Sequence, residues 1–73
     1  MNVAKNRLRE IRHELMLDEQ KQMAELLGIN QAQYHRYERH KTEPTLDIAL
    51  RIAKKLSRKV DDIFYLDDDD PIG

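Results

Sequence analysis

Apolar positions along the chain recur at helical spacing, broken at short intervals, and no stretch shows the two-residue alternation of a strand. Ala4, Leu8, Ile11 and Leu15 fall at i, i+4, i+7 and i+11 and predict a first helix of about a dozen residues. Asp18 is a favoured N-cap for a second helix, with Met23, Ala24 and Leu27 turned inward and Gly28 ending it. A third helix follows after only Ile29 and Asn30. Pro44 forbids a helix from running through, and Thr45 then caps a fourth whose stripe reads Leu46, Ala49, Leu50, Ala53 and Leu56. A last short helix, from Val60 to Tyr65, would present Val60, Ile63 and Phe64. The expected fold class is all-α: a compact five-helix bundle built from local contacts.

Composition narrows this picture. A chain of 73 residues makes one small domain with a single modest core. Two glycines and two prolines are too little punctuation for an all-β protein, and 40% hydrophobic residues are too many for a disordered one. Without cysteine there are no disulfides and no thiolate metal ligands, which fits a reducing cytoplasm. The N-terminal MNVAKNRLREIRHEL has no apolar run of the length a signal peptide or membrane span needs, so a cytoplasmic protein is expected. The start methionine and polar end lead to the expectation of a complete chain, with no second domain to hold a small-molecule effector.

The formal net charge of -1 hides an uneven distribution. Asp67, Asp68, Asp69 and Asp70 stand together before Pro71. Without them the body carries 13 Lys and Arg against 10 Asp and Glu, a surplus of three positive charges. The domain is therefore expected over residues 1–66, mildly basic and suited to an anionic partner. Residues 67–73 are expected to be a solvated, disordered acidic tail, with electrostatic mimicry of a polyanion as the alternative.

The third helix carries the most informative chemistry. Asn30 is an N-cap and Gln33 lies three residues on, the pattern of a capping box; Ile29 and Tyr34 are placed as a hydrophobic staple. At about 100° per residue, Tyr34 and Tyr37 point to one side and must be buried. Opposite them lie Ala32, His35, Arg36 and Arg39, with Gln31 on the flank. That stripe has no carboxylate, whereas a merely soluble helix mixes signs to form i,i+4 pairs. It also starts at a helix N-terminus, which favours anions. Glutamine pairs with adenine, arginine with guanine, and alanine leaves room for a thymine methyl. These side chains suit a helix that enters the major groove.

With Ala24 where two helices would cross and Gly28 in the turn, helices two and three read as a helix-turn-helix unit. The chain here resembles the lambda-repressor-like family, of the Cro and phage-repressor (XRE) type. The matching segments are NRLREIR at 6–12, QKQMAELLGINQAQYHRYERHKTEP at 20–44, TLDIALRIAKKL at 45–56 and VDDIF at 60–64. The resemblance covers residues 4–66, almost the whole chain. It implies base reading by Gln31, Ala32 and Arg36, to which the geometry adds His35. It implies phosphate contacts from Gln20 and from Arg39, Lys41 and Thr42 after helix three; Asn30 and Gln33, at the helix-three start, join that set. It further implies an ion pair between Arg12 and Glu38, and self-contact near the chain end through Val60, Phe64, Tyr65 and Leu66.

Three positions depart from the family pattern. The link Leu17-Asp18-Glu19-Gln20 looks one residue longer than the family's usual link; with helix two starting at Asp18, Gln20 would move into its first turn and its phosphate contact would be disturbed. His40 stands where glycine usually ends helix three. Arg58 and Lys59 replace an apolar residue and a capping serine, so the last helix is expected to dock loosely.

Other chemistries find little support. His35 and His40 do not share a helix face, no cysteine completes a zinc site, and Asp67–Asp70 lacks the spaced ligands of a calcium loop. No nucleophile–base pair or glycine-rich phosphate loop suggests an enzyme. No cofactor and no metal are expected. The expectation is a transcriptional regulator, repressor-like, binding double-stranded DNA as a homodimer that pairs either in solution or only on DNA. The rival is an antitoxin-like or adaptor module of the same fold with a protein partner. Such a module should carry an apolar or aromatic outer face on helix three.

Overall fold

The computed structural model describes residues 4–66, so the acidic run Asp67–Asp70 and the expected tail lie outside the described residues. In chain order the elements are β1 (Ala4–Asn6), α1 (Leu8–Glu14), α2 (Gln20–Leu27), α3 (Gln31–Glu38), α4 (Leu46–Leu56), α5 (Val60–Ile63) and β2 (Phe64–Leu66). The five expected helices are present, but the all-α expectation needs correcting. The two ends of the domain pair as a small antiparallel sheet, with Ala4 opposite Leu66, Lys5 opposite Tyr65 and Asn6 opposite Phe64.

That pairing shortens the first and last helices. Ala4 belongs to β1 and not to a helical stripe, and α1 begins at Leu8, whose N–H donates to Asn6 Oδ1 at 3.1 Å. Asn6 Nδ2 in turn donates to the Tyr37 carbonyl at 2.7 Å, tying the start of the chain to α3. At the other end α5 stops at Ile63, and Phe64 and Tyr65 turn extended into β2. The expected looseness of α5 is not seen. Ile63 is fully buried, its carbonyl accepts from Arg7 N–H at 2.8 Å, and Arg58 pairs with Glu14 across the domain at 2.8 Å.

In the link between α1 and α2, Met16 takes the left-handed conformation, with φ of 60°. Helix α2 starts at Gln20 with Glu19, not Asp18, at its cap position, and the Glu19 N–H donates to the Gln22 side-chain oxygen at 3.0 Å. Gly28 adopts φ of 72°, as the tight turn into α3 demands. Asn30 Oδ1 accepts from Ala32 N–H and Gln33 N–H at 2.8 and 3.2 Å. The expected box is only half formed, because the Gln33 amide donates to the Tyr37 hydroxyl at 2.6 Å instead of returning to the cap.

The core gathers Leu8, Ile11, Met23, Leu27, Tyr34, Tyr37, Ile52 and Ile63, with Ile29, Ile48, Leu56, Val60 and Phe64 packed around it. Ala24 is buried between helices as expected. Helix α4 is rotated from its predicted orientation. Leu46 and Leu50 are 72% and 51% exposed, while Ile48 and Ile52 join Ala49, Ala53 and Leu56 on the inner face. The two stripes share three residues, so the periodicity fits both, and packing against α2 and α5 selects the second.

Candidate nucleic-acid interface

Helix α3 lies with Tyr34 and Tyr37 in the core, which leaves Gln31, Ala32, Arg36 and Arg39 exposed and His35 half-buried. Gln31, Ala32, His35 and Arg36 converge with Gln20 and Asn30 on an open depression of about 530 Å³. All four expected base-reading residues are thus brought together, beside two of the expected phosphate contacts. Lys41 and Thr42 are exposed just beyond α3, next to His40, which holds the left-handed conformation at φ of 60°. Asn30 and Gln33 are already engaged in holding α3, through the cap and through Tyr37.

Behind this face runs a chain of polar contacts joining three helices. Arg12 and Glu38 form the expected pair, with Nε–Oε2 at 3.1 Å and Nη2–Oε1 at 3.2 Å; their side chains are 8% and 4% exposed. Arg12 Nη1 also donates to the carbonyls of Leu17 and Asp18, both at 3.0 Å, which closes the irregular link before α2. The Glu38 hydrogen bond lifts the Arg12 pKa above its ordinary value. Burial works against a charged Glu38, but hydrogen bonds from Arg12 and Gln20 outweigh it and hold the carboxyl below its ordinary range. The Tyr34 hydroxyl is buried beside this pair without a hydrogen-bond partner within ordinary distance among the described residues. Burial, then the nearby carboxylate, push its pKa well above the usual phenol value.

Gln20 extends the chain to the surface. Its Nε2 donates to Glu38 Oε1 at 3.2 Å, and its Oε1 lies 2.7 Å from His35 Nδ1. Sequence reading placed Gln20 on a phosphate and did not foresee this link, because neither residue type nor spacing announces a contact between two helix surfaces. A second polar groove, about 610 Å³, opens between α1, the end of α3 and the sheet, with Arg7, Arg9, Arg12 and Arg39 in its lining. Arg7, at the cap position of α1, and Arg9, on its outer side, escaped sequence reading because exposed arginines look like ordinary solvated charge. The Arg7 guanidinium rests over the Tyr65 ring, 4.4 Å from its centre.

The proposed self-contact residues divide. Val60 and Phe64 are half-buried and packed on the core, whereas Tyr65 and Leu66 are 37% and 63% exposed on β2. Among the described residues no helix is long and apolar enough to cross a membrane.

A short-turned helix pair, capped by asparagine and holding a carboxylate-free polar face outward on a buried tyrosine anchor, defines a helix-turn-helix DNA-binding domain. A helix-turn-helix family model matches residues 8–63, and the chain belongs to that family, of the XRE and lambda-repressor type. It is accordingly a DNA-binding regulator of the XRE type whose partner is double-stranded DNA. The family's business is DNA binding, typically without enzymatic activity. No curated protein matches the chain.

Proposed function

We propose that the protein acts as a repressor-like transcription factor that lays α3 into the major groove of a two-fold operator. The observation that carries this reading is the convergence of Gln31, Ala32, His35 and Arg36 on one open face without a carboxylate. In that pose Arg36 pairs with a guanine and Gln31 with an adenine. The free Gln31 N–H and the dipole of α3 face an adjacent phosphate. Arg39, Lys41 and Thr42 grip the sugar-phosphate backbone, and Asn30 and Gln33 reach it through the amide hydrogens that their bonds within α3 leave over.

One recognition helix reads only a few base pairs, so two copies are needed for a specific site. A two-fold pair places its helices in successive major grooves about 34 Å, or 10 to 10.5 base pairs, apart. Exposed Tyr65 and Leu66 on β2 supply the self-contact, with Val60 and Phe64 beneath them. So small an apolar patch favours pairing on DNA over a stable free dimer. Selection of bound duplexes from a random library tests the whole reading. An inverted repeat is expected, and Arg36→Ala should weaken the selected site by about 1–3 kcal/mol while barely changing non-specific binding. Selected sites without an inverted repeat, or an Arg36→Ala variant with intact preference, would remove its basis.

A further inference from the structure

The polar chain behind α3 ends on a histidine whose chemistry it dictates. Glu38 is held by two Arg12 hydrogen bonds, and an ionised carboxylate accepts hydrogen bonds but donates none. The Gln20 amide therefore has one permissible orientation, with its NH2 group toward Glu38 Oε1 at 3.2 Å. Turning it over would set an amide oxygen against a carboxylate oxygen. With the NH2 group so placed, Oε1 faces His35 Nδ1 at 2.7 Å, and an amide oxygen can only accept. The proton of a neutral His35 must then sit on Nδ1, leaving a lone pair on Nε2. Nε2 has no partner among the described residues, and the ring lines the open depression with Ala32 and Arg36.

We propose that Gln20 is a positioning residue that locks His35 in the Nδ1–H tautomer, so that His35 reads DNA as a hydrogen-bond acceptor. An acceptor at that place selects an exposed amino group in the major groove, the cytosine N4 or the adenine N6. The neighbouring Arg36 presents only donors and selects the opposite pattern, guanine N7 and O6. Two residues one position apart thus read complementary hydrogen-bond patterns. The second N–H of the Gln20 amide stays available for a phosphate. This inference rests on the proposed reading of bases by α3, and its two parts are tested separately.

The first test needs no DNA. Long-range nitrogen–proton correlation spectra of the histidine-labelled protein at pH 8 distinguish the two neutral tautomers directly. His35 should show the Nδ1–H pattern, and Gln20→Ala should return it to the Nε2–H form usual for exposed histidine, with the backbone amide spectrum reporting that the fold is kept. An Nε2–H pattern in the unmodified protein, or a pattern indifferent to Gln20→Ala, overturns the proposal. The second test selects sites with His35→Ala and Gln20→Ala. Both should lose, by about tenfold, the preference for a cytosine or adenine at one shared position of the half-site. If His35→Ala changes no position while Arg36→Ala does, acceptor readout by His35 is wrong and base reading by α3 stands. If neither substitution alters the selected site, α3 reading fails and the proposal fails with it.

Discussion

Replacing Arg12 with methionine tests whether the Arg12–Glu38 pair holds the interface together. The substitution keeps the aliphatic stem and removes four hydrogen bonds, two to Glu38 and two to the carbonyls of Leu17 and Asp18. It leaves a carboxylate with a side chain only 4% exposed and the Gln20 amide as its one remaining strong partner. Breaking a buried pair by removing one member costs about 3–5 kcal/mol. Both residues line an open groove, so water can reach the abandoned carboxylate, and the lower end applies, about 3 kcal/mol. A domain of this size has about 4–10 kcal/mol in total, so the variant should still fold but melt roughly 12–24 °C lower. Urea unfolding followed by circular dichroism reads the loss. Glu38→Gln leaves the Arg12 charge without a counter-ion but still bonded to the carbonyls of Leu17 and Asp18 and facing an amide oxygen, so it should cost less, about 1–2 kcal/mol. An Arg12→Met loss below about 1 kcal/mol, the value of a solvent-exposed pair, would show that the pair is not desolvated and refute the reasoning.

Other expectations follow from single features. Because the Glu38 pKa is lowered on folding, its contribution is present above the ordinary carboxyl value of 4.5 and lost as pH falls through the folded value. The stability gap between wild type and Glu38→Gln should therefore close in acid, and a gap constant from pH 7 to 3 would contradict the assignment. Tyr34 runs the other way. Its raised pKa favours the folded state up to its ordinary 10.0 and is lost at higher pH, so Tyr34→Phe should flatten the alkaline decline in urea midpoint. Gly28→Ala should destabilise by about 1–2 kcal/mol, since φ is 72° there and the nearest obstacle, Lys55 Nζ at 3.2 Å, can swing away. His40→Gly should stabilise by about 1 kcal/mol at its φ of 60°. Thermal melts of both variants check the signs, and equal melting temperatures would show that neither turn is strained by a side chain. Arg39→Ala and Lys41→Ala should each lower the slope of log affinity against log salt by about one unit for all duplexes alike. A change in site preference at constant slope would move that residue from phosphate to base.

Read from the sequence alone were the features that neighbours within one helical turn control. The glycine turn at 28, the asparagine cap at 30 and the inward tyrosines at 34 and 37 depend on neighbours within one helical turn, and the polar stripe of α3 follows from the same geometry. The family resemblance added the Arg12–Glu38 pair, which spacing alone does not predict. The tertiary structure decided the rest. Strands of three residues are too short to show a two-residue period, and Ala4 and Leu66 meet only because the helices between them bring the chain ends together. The inner face of α4 depended on which neighbours it met, because two overlapping stripes satisfied the same period and left Leu46 and Leu50 outside. Asp18 and Glu19 are both acceptable helix starts, and the choice fell to Glu19 once Arg12 had claimed the Asp18 carbonyl and the Gln22 side chain had accepted from the Glu19 N–H. The link from Glu38 through Gln20 to His35 exists only where two helix surfaces touch, so its hydrogen-bond directions are a property of packing, not of any segment.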